Sequence, residues 1–184
     1  MTDLDVVVLL DAEHRPTGTA PRASVHDTDT PLHLAFSCYL VDDAGRVLMT
    51  RRALAKRTWP GVWTNSFCGH PRPEEEMEAA VHRYAGHELG TTLGSLRCVL
   101  PSFRYRAVDA SGVVENEFCP VFVATAAGPV GPNPDEVAEH RWVDPGELET
   151  AASVAPWALS PWLVEQLAEL DALGGLAQVV RQPR

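Results

Sequence analysis

Residues 69–90 read GHPRPEEEMEAAVHRYAGHELG, and this stretch decides the fold. Met77, Val81 and Tyr84 recur in it at helical spacing, and Gly90 stands where a helix would end. The pattern predicts a helix over residues 74–89. The preceding segment, residues 58–73, is rich in Trp, Pro, Gly, Asn and His, which is too irregular for a helix. Loops of that composition often line functional sites, so this loop is expected to line one.

Strands are predicted on both sides of this stretch. On the N-terminal side they cover residues 6–10, 33–41 and 46–51, with a polar, turn-rich segment over 11–31 and a hairpin turn at 42–45. On the C-terminal side strands cover residues 96–107, 113–125 and 139–143, and helices cover 145–151 and 159–173. The elements do not alternate regularly as β-α-β units. This order favours an α/β sandwich with a mixed β-sheet over a doubly wound parallel sheet.

Length and charge bound the class of protein. The 184 residues fit one domain, residues 1–184, with a tail over 175–184 that is expected to fray. A net charge of −10 argues against nucleic acid or an anionic membrane surface as the partner. The apolar runs are too short for a membrane span and the N-terminus is acidic, so we expect a cytoplasmic protein. Four of the 15 basic residues nevertheless cluster within residues 51–57, and Lys56 is the only lysine.

A pair of acids lies within the predicted strand over residues 113–125. Glu115 and Glu117 are two residues apart, so their side chains leave the same face of that strand. Two neighbouring carboxylates repel each other unless a cation or a proton lies between them. A solvent-facing strand surface is the alternative, although the flanking residues are strongly apolar. The pattern alone leaves both interpretations open.

Histidines offer further ligands. His26, His33 and His70 together with the two acids would give a five-ligand site of nitrogen and oxygen atoms, suited to Mn²⁺, Zn²⁺ or Fe²⁺. The sequence does not show that these groups meet in space. By composition alone, four other histidines are equally available as ligands: His14, His82, His87 and His140.

Four cysteines are present, and none is spaced as a zinc knuckle or a redox pair. Cys68 differs from the others because it precedes Gly69 and lies two residues before His70, so a ligand could approach it closely. A buried, inert thiol is the alternative. The other three, Cys38, Cys98 and Cys119, lie in apolar strand patterns and are expected in the core.

The predicted helix carries a spacing that resembles the Nudix box, in which several carboxylates on one helix face bind Mg²⁺. The frame is kept by Gly69, Glu75, Arg83, Glu88 and Gly90. Tyr84 and His87 stand where that box has acids, so Glu88 alone remains of its main metal-binding carboxylates. A single carboxylate is poorly equipped to hold the two or more ions that Nudix hydrolysis uses.

Seven segments in order make the whole chain resemble the type 1 isopentenyl-diphosphate Δ-isomerases, a Nudix-fold family. They are LHLAFS (32–37), RRAL (51–54), WPGVWTNS (59–66), CGHP (68–71), FRYR (103–106), VENE (114–117) and PWALSPW (156–162). The resemblance covers most of the chain, from about residue 6 to 165, and the seven segments in combination are highly specific. The resemblance implies a Nudix-like α/β/α sandwich and isomerisation of isopentenyl diphosphate to dimethylallyl diphosphate.

The resemblance also implies a role for each of twelve residues. A divalent ion, Mn²⁺ or Zn²⁺, would be held by His26, His33, His70, Glu115 and Glu117. The catalytic groups would be Cys68, Glu117 and Tyr105. A Mg²⁺ bound with the substrate diphosphate would be held by Glu88. The diphosphate and the hydrocarbon would be bound by Arg22, Arg52, Lys56 and Trp162. The partner would be a small prenyl diphosphate. Separately, one compact domain favours a monomer, and the net charge disfavours nucleic acid or an anionic membrane as the partner.

Chemistry explains this choice of residues. Isomerising an unactivated alkene adds one proton and removes another through a tertiary carbocation, so it needs an acid, a base and the exclusion of water.

Three other functions stay open at this point. One is an enzyme of the same scaffold that couples or cyclises another prenyl diphosphate, suggested by the unusual Tyr84 and Phe67. The others are a Nudix diphosphohydrolase and a non-catalytic metal-binding protein.

Overall fold

The computed structural model describes residues 5–181. Its strands are β1 (Val6–Leu10), β2 (Pro16–Pro21), β3 (His33–Leu34), β4 (Phe36–Val41), β5 (Val47–Arg52), β6 (Trp63–Thr64), β7 (Phe67–Gly69), β8 (Leu93–Leu100), β9 (Arg104–Val108), β10 (Val114–Phe118), β11 (Val121–Ala126) and β12 (Val137–Val143). Its helices are α1 (Arg22–Val25), α2 (Met77–Leu89), α3 (Pro145–Val154), α4 (Pro161–Asp171) and α5 (Leu176–Arg181), with a 3₁₀ turn at Pro156–Ala158. No helix within 5–181 has the length and apolarity that crossing a membrane requires.

The strands form two mixed sheets. The smaller has the order β2-β1-β3-β10-β9, and the larger has β12-β5-β4-β11-β8, with β6 beside β5 and β7 beside β4. The pairs β3–β10 and β4–β11 are parallel, and the other pairs are antiparallel. The predicted α/β class with mixed pairing is therefore confirmed.

Strand β4 shows where the core lies. Phe36, Cys38 and Leu40 on one face pack in an apolar cluster with α2, whereas Tyr39 and Val41 on the other face pack in a cluster with α3, α4 and α5. The alternation follows from the two-residue period of a strand. A strand buried on both faces reads as a continuous apolar run, which is why residues 33–41 were predicted as a strand.

Three predicted long strands are each broken where the chain passes from one sheet to the other. The break near Ala35 separates β3 from β4, and Cys119–Pro120 separates β10 from β11. The two breaks lie side by side, since the amide of Ala35 donates to the carbonyl of Phe118 at 2.9 Å. The third break, between β8 and β9, adjoins them, with the amide of Cys119 donating to the carbonyl of Phe103 at 2.9 Å. The crossing brings residues of both sheets to one place.

Helix α2 begins at Met77, three residues after the predicted start. Glu74 adopts a left-handed backbone with φ 63°, which a helix does not accommodate. The carboxylate of Glu75 turns back to accept from the backbone amide of Arg72 at 2.8 Å and from Arg83 at 2.6 Å. The acids before Met77 thus build the turn into the helix. The predicted helix end at Gly90 is confirmed, with φ 57°.

Other predictions need correction. The segment over 58–73 contains β6 and β7, and the segment over 11–31 contains β2 and α1. Within the tail that was expected to fray, residues 176–181 form α5 in the structure, and α5 buries Leu176 and Val179 against α3 and α4; residues 182–184 lie outside the described part. The prediction that Cys98 is buried is wrong: it is exposed on β8, an edge strand of the larger sheet.

Candidate active site

A cavity of about 240 Å³ opens where the sheets meet α1, α2 and α4. It is lined by eleven of the twelve residues predicted for the site: Arg22, His26, Arg52, Lys56, Cys68, His70, Glu88, Tyr105, Glu115, Glu117 and Trp162. The twelfth, His33, is fully buried and lies against Glu117. The chain thus brings together side chains that are up to 140 positions apart in sequence.

Three histidines and Glu117 form a compact cluster at one side of this cavity. One ligand atom from each of His26, His33, His70 and Glu117 lies within 4.8 Å of all the others. Nε2 of His70 is 3.0 Å from Oε1 of Glu117, and Nε2 of His33 is 3.4 Å from the same oxygen.

Strand geometry brings the two acids to this cluster. Glu117 faces His33 directly in the parallel pair β10–β3, and Glu115 leaves the same face of β10 two residues earlier. Oε2 of Glu115 is 2.9 Å from Nε2 of His26. The prediction that both acids share a face is confirmed, and both are buried rather than facing solvent.

Each of the two acids has one oxygen held by a hydroxyl group. Tyr105 donates to Oε2 of Glu117 at 2.9 Å, and Thr58 donates to Oε1 of Glu115 at 2.6 Å. The remaining oxygens, Oε1 of Glu117 and Oε2 of Glu115, therefore face the imidazoles. The neighbouring imidazoles of His33 and His70 outweigh the effect of burial and hold the pKa of Glu117 well below its ordinary value.

The donor set fits a divalent cation. Among residues 5–181, three buried atoms facing this space have no hydrogen-bond partner: Nε2 of His26, Nε2 of His33 and Oε2 of Glu115. Nδ1 of His33 lies 2.9 Å from the carbonyl of Pro31, which only accepts, so the neutral ring carries its proton on Nδ1 and leaves a lone pair on Nε2. A buried lone pair that faces a buried carboxylate oxygen is costly unless a cation lies between them. Imidazole and carboxylate together suit a transition metal ion.

Cys68 lies on β7, opposite Ser37 of β4. Its Sγ is 3.3 Å from Oγ of Ser37 and 3.4 Å from the side-chain amide of Asn65. Burial raises the pKa of the Cys68 thiol to about 12, although the hydrogen bonds with Ser37 and Asn65 act in the opposite direction. Cys68 is therefore a protonated thiol at neutral pH.

Trp162 of α4 also lines the cavity, next to Asn65 and Tyr105. Its indole Nε1 donates to Oδ1 of Asn65 at 3.1 Å, and its ring centroid lies 5.6 Å from that of Tyr105. The guanidinium of Arg52 lies 5.4 Å from the Trp162 ring centroid. The aromatic wall of the cavity is thus fixed by hydrogen bonds at its edges.

Cationic side chains also line the cavity. Arg52 donates from Nε and Nη2 to the carbonyl of Thr58 at 3.0 and 2.9 Å. Lys56 forms an ion pair with Glu136 and lies 3.5 Å from Glu88. Burial raises the pKa of Glu88, and Lys56 opposes that effect.

Arg22 also lines the cavity. Its Nε donates to both carboxylate oxygens of Asp5, at 2.8 and 2.9 Å. The same hydrogen bond raises the pKa of Arg22, so the guanidinium stays charged. Arg22 thus contributes a permanent positive charge to the cavity wall.

Comparison with known proteins shows the family of this chain. The NUDIX domain family matches residues 31–163. An isopentenyl-diphosphate Delta-isomerase of Clavibacter sepedonicus is 60% identical over 183 residues, covering 97% of this chain and 96% of the relative. One of Frankia alni is 63% identical over 163 residues, covering 89% and 84%.

This chain belongs to the isopentenyl-diphosphate Delta-isomerases, within the NUDIX family.

Solved structures agree on the fold of this isomerase-family chain. A crystal structure from Deinococcus radiodurans aligns with TM-score 0.69 at 19% identity, covering 89% of this chain and 98% of that one. A MutT protein from Methanosarcina mazei aligns with TM-score 0.59 at 19% identity, covering 78% and 96%. At such identities the likeness concerns the fold alone.

In this isomerase-family chain, α2 departs from the Nudix pattern at Tyr84 and His87. The Tyr84 ring packs against Gly69, where an added Cβ would lie 2.6 Å from ring carbons, so residue 69 has no room for a side chain. His87 reaches instead toward Glu136, with Nε2 and Oε1 3.4 Å apart. Glu88 is left as the carboxylate of α2 that lines the cavity.

Sequence reasoning missed several residues of the isomerase-family site. Thr58 and Glu136 line the cavity, and Gln166 lies behind Cys68, accepting from Tyr39 at 2.9 Å and from Ser37 at 3.3 Å. Thr58 and Glu136 lie in irregular segments without a periodic signal, so nothing marked them. Gln166 had a signal, since it is polar on the apolar face of a predicted helix.

Proposed function

We propose that this chain converts isopentenyl diphosphate to dimethylallyl diphosphate. A proton adds to the terminal CH₂ of the alkene, which becomes a methyl group and leaves a tertiary carbocation. Loss of a proton from the neighbouring CH₂ then forms the new double bond. The relatives at about 60% identity carry the isomerase name, and the cavity has the groups that this reaction needs.

The observation that carries the proposal is a single cavity that holds both kinds of group. Cys68 and Glu117 line it, and so do the cationic side chains of Arg22, Arg52 and Lys56. Arginine and lysine side chains recognise a diphosphate group, bidentately in the case of arginine. A diphosphate held there would present its short hydrocarbon to the thiol and the carboxylate.

Cys68 and Glu117 form the proposed acid–base pair. The protonated thiol of Cys68 and the ionised carboxylate of Glu117 differ in proton occupancy, which suits one donation and one removal. Tyr105 is proposed to act with them, because its hydroxyl holds Glu117 in a fixed orientation. Trp162 would stabilise the positive charge through its ring face.

A divalent ion fits the His/Glu cluster, and we propose Mn²⁺ or Zn²⁺ held by His26, His33, His70, Glu115 and Glu117. Glu88 is proposed to hold a Mg²⁺ together with the substrate diphosphate. An ion at the cluster would supply positive charge that stabilises the ionised form of Glu117. The side chains of the protein bind and orient the substrate and exchange the protons with it.

The size of the cavity favours a short prenyl group. Its 240 Å³ lies below the roughly 300–1,000 Å³ of pockets for drug-sized ligands. Hydrolysis of the diphosphate is disfavoured, because Tyr84 and His87 of α2 supply no carboxylate to the cavity.

We further propose that residues 1–184 act as one domain and as a monomer. The net charge of −10 is unfavourable for nucleic acid or an anionic membrane as partner, and supports a small-molecule substrate instead. Each of the four cysteines is a free thiol, the usual state in a reducing compartment such as the cytoplasm.

The test is product analysis. Metal-loaded protein and Mg²⁺ are incubated with isopentenyl diphosphate, and the products are followed by proton NMR and by a phosphate-release assay. We expect dimethylallyl diphosphate without phosphate. Phosphate release would instead identify a hydrolase, and no conversion of this substrate by the folded, metal-loaded protein would overturn the proposal. Geranyl diphosphate in a parallel incubation tests for a longer prenyl substrate.

A further inference from the structure

Thr58 lies between two parts of the site that have separate proposed tasks. It is buried, with 4% of its surface exposed, in the loop that joins β5 to β6. Its hydroxyl donates to Oε1 of Glu115 at 2.6 Å and accepts from Nη2 of Arg52 at 2.9 Å. A hydroxyl has a single hydrogen, so donation to the carboxylate turns its lone pairs toward the guanidinium. One side-chain oxygen therefore joins a proposed metal ligand to a proposed diphosphate ligand.

Thr58 also restricts the orientation of the Arg52 guanidinium. Its backbone carbonyl accepts from Nε and Nη2 of Arg52, in addition to the bond at the hydroxyl. Within residues 5–181, Nη1 of Arg52 donates no hydrogen bond. The guanidinium is thus held on one edge, and its other edge stays free for an anion.

The same contact restricts Glu115. With Oε1 held by Thr58, the oxygen available to the His/Glu cluster is Oε2, which lies 2.9 Å from Nε2 of His26. Such a bond to a ligating carboxylate fixes its orientation, and losing it typically weakens metal binding.

The loop around Thr58 is anchored on both sides. Trp59 adopts a left-handed backbone with φ 43°, an unfavourable conformation for a bulky residue, and packs edge-on against Trp162 with centroids 5.4 Å apart. The amide of Gly61 donates to the carbonyl of Arg52 at 3.0 Å. Thr58 is therefore fixed in place, and a change at Glu115 can reach Arg52 through a rigid contact.

We propose that Thr58 is a positioning residue that couples cation binding at Glu115 to diphosphate binding at Arg52. This inference rests on the proposed function for the identity of the two ligands. A bound cation orders Glu115, the carboxylate orients the Thr58 hydroxyl, and the hydroxyl orients Arg52 for the anion. Coupling of this kind is reciprocal, so each ligand strengthens the binding of the other by the same factor.

The experiment compares Thr58→Val, which keeps the shape and removes the hydroxyl, with Thr58→Ser, which keeps the hydroxyl. The affinity for inorganic diphosphate is measured by calorimetry on metal-stripped protein and on zinc-loaded protein freed of excess ion, without Mg²⁺. Zinc affinity is measured separately by competition with a chromogenic chelator. Thermal unfolding checks that each variant is folded, and Thr58→Ala replaces Thr58→Val should the latter not fold.

We expect zinc to tighten diphosphate binding several-fold in the unchanged protein and in Thr58→Ser. In Thr58→Val the ratio of the diphosphate affinities with and without zinc falls to about one. The zinc affinity of that variant falls by about tenfold or more. An unchanged ratio in Thr58→Val, or equal loss in Thr58→Ser, would overturn the coupling. Failure of the unchanged protein to bind zinc or diphosphate would instead count against the proposed function.

Discussion

The phenol of Tyr105 donates a 2.9 Å hydrogen bond to Oε2 of Glu117, whose other oxygen lies 3.0 Å from Nε2 of His70. Tyr105 and Glu117 are direct cross-strand partners in β9 and β10, so the contact is built into the register of the sheet. The two oxygens of one carboxylate are thus assigned different partners. This arrangement leaves one rotamer of Glu117 favoured over the others, as an acid–base group requires.

Removing that hydroxyl tests its contribution. We expect Tyr105→Phe to lower kcat by about 10- to 100-fold with little change in KM, because hydrogen bonds to charged groups contribute about 1.5–3 kcal/mol. Steady-state kinetics measures both constants. Phe103→Tyr, a change at a nearby buried ring that leaves Glu117 its partner, controls for altered aromatic packing. An unchanged kcat in Tyr105→Phe would show that this contact does not orient Glu117 for the reaction.

Lys56 allows a direct test of diphosphate binding by the cationic side chains of the cavity, because it is the only lysine. We expect Lys56→Met to raise KM for isopentenyl diphosphate by about tenfold or more, since an ammonium–phosphate contact is lost. Arg46→Met removes one positive charge from the hairpin turn, away from the cavity, and should leave KM unchanged. Equal effects of the two substitutions would point to net charge rather than a diphosphate contact.

Helix α5 is expected to contribute to stability. Leu176→Ala removes a fully buried side chain and should lower the free energy of unfolding by about 2–4 kcal/mol. Gln178→Ala, on the exposed face of the same helix, should change it by less than about 0.5 kcal/mol. Urea denaturation measures both. A stability change as small for Leu176 as for Gln178 would mean that α5 does not pack in solution.

The Glu75–Arg83 pair at the start of α2 predicts a dependence of stability on pH. The hydrogen bond with Arg83 lowers the pKa of Glu75 below its ordinary 4.5. The folded state therefore holds this proton less tightly than the unfolded state, so the contribution is present above pH 4.5 and is lost as pH falls through the lowered pKa. Chemical denaturation at pH 7 and at pH 3 measures the free energy of unfolding. Its loss between pH 7 and pH 3 should be smaller for Glu75→Gln than for the unchanged protein. A loss that is equal in both would show that the pair does not stabilise the fold.

The sequence predicted most of the architecture where periodicity was strong. Glu115 and Glu117 share a face because a strand alternates, and α2 ends at Gly90 because a left-handed residue ends a helix. Three long predicted strands are broken in the structure, and Pro101 and Pro120 marked two of the three breaks. The predicted fraying of the tail overlooked Leu176 and Val179, which are spaced as on one helix face.

The site was only partly predictable for a different reason. Which histidines approach Glu117 depends on the pairing of β3 with β10, across 84 residues of chain, and no local pattern encodes that pairing. The resemblance to a family supplied it instead. Thr58, Glu136 and Gln166 act through contacts with distant residues, so only the folded chain reveals them.

The central claim, that Cys68 and Glu117 move protons to and from a prenyl diphosphate, is tested most directly by the reaction in D₂O. Proton NMR follows isopentenyl diphosphate with the metal-loaded protein, Cys68→Ala and Glu117→Gln, with Cys98→Ala as the control for a cysteine outside the cavity. We expect dimethylallyl diphosphate with deuterium in the newly formed methyl group from the unchanged protein and from Cys98→Ala. Both site variants should lose at least about a hundredfold in rate, given the 10²–10⁴-fold that each general acid–base group contributes. Product without deuterium, or full activity in either site variant, would contradict the account.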